Sequence, residues 1–175
     1  GAVGIGLEST IVDLTGGEPT VLRPGYVTQE MLEKVLGDVA VDRTILDGTT
    51  AERPKAPGMK YRHYAPKGDL AIVEGEPEAV TEYINRLCAE AAAAGKKTGV
   101  IGTDETFSSY AADSVKTVGS RGDEEAIARS LYRILREFDD EEVEVMYSES
   151  FSTYGMGQAI MNRLLKAAGH RVITV

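Results

Sequence analysis

Two stretches hold the residues whose types could do chemistry. In ESTIVDLTGGEPTVLRPG, Ser9 and Thr10 place adjacent hydroxyls in a predicted strand. Arg23 stands at the end of the next strand, where Pro24 and Gly25 turn the chain. Arginine carries a planar fork of donors that matches phosphate oxygens. Read alone, the stretch also suits a structural β-hairpin. In ERPKAPGMKYRHYAPK, residues 52–67, five basic groups stand against one acidic group, and Tyr61, His63 and Tyr64 lie among the cations. Tyrosine, histidine, arginine and lysine together suit an adenine ring and its phosphates. A solvated linker is the plainer reading of the same residues. Pro54, Pro57 and Pro66 are half of the chain's six prolines, and at that density they favour an extended, fairly stiff connector.

Other motifs carry less. GMGQ, Gly155 to Gln158, opens a predicted helix where a phosphate could sit, but close packing explains the glycines as well. GTDET, Gly102 to Thr106, follows a strand at the edge where open α/β sheets bind ligands. DDEE, Asp139 to Glu142, reads as a solvated loop after a helix, and His170 has no partner nearby in sequence. Two histidines and one cysteine assemble neither a Ser–His–Asp set nor a metal cluster. Cys88 falls on an apolar helical stripe and reads as a small core residue; a lone cysteine also excludes an internal disulfide framework.

The elements that must position these residues follow from periodicity. Gly6 to Thr15 and Pro19 to Leu22 alternate as two strands around a turn at Gly16 to Glu18. Thr28 reads as an N-cap, Met31, Leu32, Val35 and Leu36 as a helical stripe, and Gly37 as its stop. Val39 to Val41 is another short strand. Beyond residue 66, strands at Leu70–Val73, Thr98–Ile101, Ser114–Val118, Val143–Tyr147 and Arg171–Val175 alternate with three apolar stripes. Those stripes are Val80 to Ala91, Ile127 to Phe138 and Ile160 to Ala168, each at helical spacing. The fold class expected is α/β: a Rossmann-like parallel sheet covered by helices, preceded by a linker. Residues 1–44 hold too few elements to close a core alone, so the chain divides as 1–44, a linker over 45–66, and a domain over 67–175.

Composition narrows the function classes. The chain has 175 residues and a net charge of −9. Residues 1–66 contribute −2 and residues 67–175 contribute −7. An acidic body does not attract phosphate backbones, so direct nucleic-acid binding is disfavoured. No apolar run approaches a membrane span, and the single cysteine fits a reducing, cytoplasmic setting. The chain begins at Gly1 inside an apolar glycine run, and sequence is expected to be missing before it.

GLESTIVDLT, PTVLRPG, APGMKYRHYAPK and YGMGQAIMNRLLKAAGHRV together resemble the threonylcarbamoyl-AMP synthase family in its larger, two-domain form. The resemblance implies that residues 1–44 end a YrdC-type catalytic domain, that 45–66 link it onward, and that 67–175 form the Rossmann-like accessory domain. It implies a nucleotidyltransferase reaction: L-threonine, bicarbonate and ATP, with Mg²⁺, give threonylcarbamoyl-AMP and pyrophosphate. The product would pass to a tRNA threonylcarbamoyl transferase system. By motif, Ser9 would contact threonine with Thr10 its neighbour, Arg23 would contact ATP, and Tyr64, then Tyr61, with His63, would lie on the nucleotide. The family's Lys-x-Arg and Ser-x-Asn motifs would precede residue 1; Lys60-Tyr61-Arg62 matches the first by spelling only. The chain alone is therefore expected to be inactive. The competing reading is a non-catalytic, small-ligand-binding or regulatory Rossmann-like domain with a basic tail, which leaves LESTIVDL and LRPG unexplained.

Overall fold

The computed structural model describes residues 6–42, 45 and 65–175. Its first part is a small three-stranded sheet. Strands β1 (Ile11–Asp13) and β2 (Thr20–Arg23) pair antiparallel, and β3 (Ala40–Val41) runs parallel to β2. Helix α1 (Gln29–Leu36) lies between β2 and β3, capped by the Thr28 hydroxyl on the Met31 N–H and closed at Gly37. Val21, Val39 and Ile45 make a small buried cluster of their own.

β1 is shorter than the predicted Gly6–Thr15 strand. Its last pair is Ile11 with Arg23, because the next residue on β2's side, Pro24, has no N–H to continue the ladder. Ser9 and Thr10 thus lie just ahead of the strand rather than in it. The register also slips between Ile11 and Val12, setting one step on β1 against two on β2. Such a bulge breaks side-chain alternation and re-aims the neighbouring side chains; Val21 and Leu22 are accordingly both buried, and Arg23 is only partly so.

The second part is a five-stranded, all-parallel sheet. Its strands are β4 (Asp69–Glu74), β5 (Thr98–Gly102), β6 (Ser114–Thr117), β7 (Val145–Glu149) and β8 (Val172–Thr174), in spatial order β6-β5-β7-β4-β8. Helix α2 (Pro77–Ala93) starts with proline at its first turn, where no N–H is needed. It lays Val80, Ile84 and Cys88 on Ala71, Val73, Val100 and Tyr147. Helices α3 (Glu124–Asp140) and α4 (Met156–Ala167) cover the opposite face, packing Leu131, Leu135, Phe138, Ile160 and Leu164 onto Leu70, Ile72, Ile101 and Met146. Each such side chain contributes roughly 1.5–3 kcal/mol by leaving water.

Two expectations are corrected here. The fourth strand of this sheet is Val145–Glu149, not Val143–Tyr147. Val143 instead closes the end of α3, its N–H on the Phe138 carbonyl at 2.9 Å. The DDEE stretch is not a solvated loop throughout: Asp139 and Asp140 belong to α3, and Asp139 is buried. Its carboxylate accepts the Lys67 N–H at 2.6 Å and pairs with Arg136 at 2.9 Å. Arg136 also reaches the Ala65 carbonyl at 3.0 Å. That cluster fixes the point where the chain enters the second part.

Candidate functional site

The structure brings together three of the residues singled out in the sequence. Arg23 reaches across the end of the β1–β2 pair and donates its Nε–H to the Ser9 carbonyl at 2.9 Å. Its Nη1 stands 3.9 Å from the Glu8 carboxylate, a loose ion pair. The two hydroxyls part company. Thr10 donates to the Val27 carbonyl at 2.8 Å and pins the turn after β2, whereas Ser9 is exposed. Gly25 packs so tightly under this turn that a Cβ there would stand 2.6 Å from the Thr10 N–H nitrogen. The LRPG glycine is required by that close approach of backbones. Ser9 is therefore the hydroxyl open to a ligand, and Thr10 is a brace.

A third charge comes from the far end of the chain. Lys166, in the last turn of α4, is partly buried, and that desolvation holds its ammonium below the ordinary lysine range. Glu8 favours its charged form and Arg23 opposes it. Two cations and one carboxylate thus act on one another here, a net positive balance that favours an anionic ligand. Neither Glu8 nor Lys166 was legible as a site residue, because their proximity depends on how α4 sits against the first sheet.

That seat is built by specific contacts. Arg163 of α4 donates to the Gly6 carbonyl, and Asn162, also on α4 and buried, donates to the Ile45 carbonyl at 2.9 Å. Leu7 packs on the main core. Ser9 is consequently held by a segment clamped to the second part of the molecule.

The other sequence candidates resolve unevenly. Tyr61, His63 and Tyr64 lie outside the described residues. GMGQ does open α4, and Gly157 is explained by packing, since a Cβ there would run into the Ser152 backbone. Burial raises the Cys88 thiol to about 11, as suits a core residue. His170 is held below its ordinary value by desolvation and by Lys166. Magnesium takes one or two carboxylates together with substrate phosphates. Beside Arg23 the carboxylate is Glu8, already facing two cations, and the described residues contain no group of three or more metal-ligating side chains. This donor set does not fit a resident Mg²⁺. Among the described residues no helix is long and apolar enough to cross a membrane.

Comparison with known proteins gives one consistent result. The family described as threonylcarbamoyl-AMP synthase, C-terminal domain, matches residues 27–169. The chain is 46% identical over 173 residues to the threonylcarbamoyl-AMP synthase of Bacillus subtilis, covering 99% of this chain and 48% of that protein. It is 43% identical over 175 residues to the synthase of Pyrococcus abyssi, covering 100% and 49%. A crystal structure of Pyrococcus abyssi Sua5 complexed with L-threonine matches at a TM-score of 0.88 and 42% identity, over 100% of this chain and 49% of that one. A C-terminal Sua5 domain from Pyrococcus horikoshii matches at 0.52 and 36% identity, over 63% of this chain and 100% of that one. The chain thus spans about half the length of the curated relatives it matches. Its sequence and its fold agree on the outcome: the chain belongs to the threonylcarbamoyl-AMP synthase family, in the part that carries the C-terminal domain.

Proposed function

We propose that this chain is the C-terminal part of an L-threonylcarbamoyladenylate synthase, a nucleotidyltransferase that serves threonylcarbamoyladenosine modification of tRNA. The observation that carries the proposal is the Arg23–Ser9 juxtaposition at the end of β2, with Glu8 loosely paired to Arg23 and Lys166 within electrostatic reach of both. The names of the relatives, and the L-threonine in one related structure, support it.

In the proposed reaction, the threonine amine bonds to the bicarbonate carbon, a C–O bond of bicarbonate breaks, and water leaves to give a carbamate. A carbamate oxygen then attacks the α-phosphorus of ATP, the bond from that phosphorus to the bridging oxygen breaks, and pyrophosphate leaves. Nucleophile and electrophile are both anionic, so fixed positive charge at the site lowers the barrier. Arg23 supplies such charge on the ATP side, and Ser9 hydrogen-bonds threonine. Arg23's hold on the Ser9 carbonyl couples the two binding positions. Tyr64, Tyr61 and His63 are proposed as nucleotide contacts. Mg²⁺ is proposed to arrive on the phosphates of ATP.

The test is pyrophosphate release by a longer protein that joins this chain to a YrdC-type segment. Release should require threonine, bicarbonate and ATP together, and Ser9→Ala should raise the KM for threonine. Release that is indifferent to threonine overturns the reading.

A further inference from the structure

The carboxyl edge of the parallel sheet carries a second constellation that the proposed reaction does not use. β7 ends at Glu149, between β5 and β4, so the segments that come after all three strands surround it. Glu149 is only 2% exposed. One carboxylate oxygen accepts from the Tyr110 hydroxyl at 2.8 Å and from the Thr106 hydroxyl. The other pairs with the Arg121 guanidinium. Arg121 also donates to the Ser150 carbonyl at 3.0 Å. Its loop is tied down in turn, because Glu105 accepts from the Arg121 backbone N–H and from the Ser120 hydroxyl. The GTDET motif thus supplies both Glu105, which places the arginine, and Thr106, which places the carboxylate.

This pair opens on a cavity of about 120 Å³. Val73, Pro77 and Val80 form an apolar wall, and Arg121, Glu149 and Ser150 form a polar one. Helix α2 starts at the same cavity, and its N-cap, Glu76, makes no side-chain cap bond. The first-turn N–H groups therefore favour a negative group there. Placing a carboxylate as deep as Glu149 is costly even when it is paired, and replacing such a pair by well-packed apolar groups is often neutral or stabilising, so stability is a weak reason for Glu149 to close the strand.

Charge and size select the ligand class. The polar wall holds one anion and one cation, so its net charge is zero. A phosphate would meet Arg121 but also the Glu149 carboxylate, and a simple amine would meet Glu149 but also the guanidinium. A small zwitterion satisfies both. Arg121 gives two of its five N–H groups to Glu149 and Ser150. Glu149 receives three donors out of about four lone-pair positions. Each group therefore retains capacity for a ligand. The volume lies well below the ~300 Å³ at which drug-sized ligands begin, which suits a small ligand better than a nucleotide and admits a short apolar side chain against Val73 and Val80.

We propose that this crevice binds a small α-amino acid, with its ammonium on Glu149, its carboxylate on Arg121 and the first turn of α2, and its side chain on the Val73–Val80 wall. The test is a ¹⁵N–¹H NMR titration of the 175-residue chain with L-alanine, propionate, ethylamine and inorganic phosphate. L-alanine should shift the amides of Gly75, Arg121 and Ser150 saturably. Propionate and ethylamine, each lacking one charge, should bind about tenfold more weakly or worse. Arg121→Met, at a half-exposed position, should cost a similar factor and leave the remaining amide peaks in place. Glu149→Gln, equal in shape, should do the same if it folds, and Arg121→Met carries the test if it does not. Shifts confined to the amides around Ser9 and Arg23, an equal response to phosphate or propionate, or unchanged alanine affinity in Arg121→Met would each overturn the proposal.

Discussion

Arg23 donates its Nε–H to the Ser9 carbonyl at 2.9 Å while its Nη1 faces Glu8 at 3.9 Å, so one guanidinium ties the end of β2 to the segment ahead of β1. A lysine cannot hold both positions, because its ammonium is a single point of charge on a flexible stem. In the longer protein, Arg23→Lys should lower catalytic efficiency for ATP about tenfold or more, or roughly 1.4 kcal/mol. Initial rates of pyrophosphate release at varied ATP measure it. Unchanged efficiency would leave Arg23 with a structural role only.

Asn162 couples the two parts of the molecule through a single buried bond, its amide to the Ile45 carbonyl at 2.9 Å. Truncation to alanine leaves a buried carbonyl without that donor, which costs about 1–3 kcal/mol. Urea unfolding of Asn162→Ala should show a lower midpoint at an unchanged slope. An unmoved midpoint would mean that the bond does not hold Ile45 in place.

The same distinction between local and distant cause explains what was legible in the sequence. The stripe Val80, Ile84, Cys88 of α2 is legible because its spacing alone puts three apolar side chains on one face. Ser9 and Arg23 are legible as motif residues because the hairpin is local, whereas the bond between them is seen only in the fold. β7 is misplaced by two residues for a physical reason. Val143 is apolar but serves the end of α3, whereas Ser148 and Glu149 are polar yet buried in the strand. Apolar pattern reads side chains; β7 is defined by backbone pairing, Ser148 with Ile72 and Glu149 with Val73. Asp139 is buried because a backbone N–H 72 residues away completes its shell. The electrostatic pull of Glu8 on Lys166 is likewise a product of tertiary docking.

Glu105 gives a pH prediction. The Ser120 hydroxyl, the Arg121 backbone N–H and its own backbone N–H lower its carboxyl from the ordinary 4.5 to about 2. A depressed carboxyl contributes stability that is complete above its unfolded value and is lost as pH falls through its folded value. The contribution is therefore full above about pH 4.5 and disappears toward pH 2. Glu105→Gln removes it at every pH. Plotted against pH, the difference in unfolding free energy between the parent and Glu105→Gln should shrink across that window. A difference that is constant with pH would show that the Glu105 charge does not hold the Arg121 loop.

Gly6 joins the segment carrying Ser9 to the face of α3, and its replacement tests whether that seat matters. Its φ is +69°, a left-handed conformation that costs an alanine about 1 kcal/mol. A Cβ would also stand 2.6 Å from the Ala128 carbonyl oxygen and 2.7 Å from the Arg129 Cα. Those are backbone atoms of a helix whose other face is packed in the main core, so α3 cannot yield. The segment must lift instead. Lifting breaks the Arg163 bond to the Gly6 carbonyl and uncovers Leu7, which packs on that core. Gly6→Ala should therefore destabilise the chain by more than the ~1 kcal/mol of backbone strain alone. Gly17→Ala is the matched control, because nothing lies within 4 Å of a Cβ there, and it should stay within about 0.5 kcal/mol of the parent. In the longer protein, Gly6→Ala should also raise the KM for threonine, since Ser9 moves with the segment. Urea unfolding of both variants and threonine kinetics of the first decide the matter. Equal stability of the two variants would sever Gly6 from the seat, and an unchanged KM would sever the seat from the site.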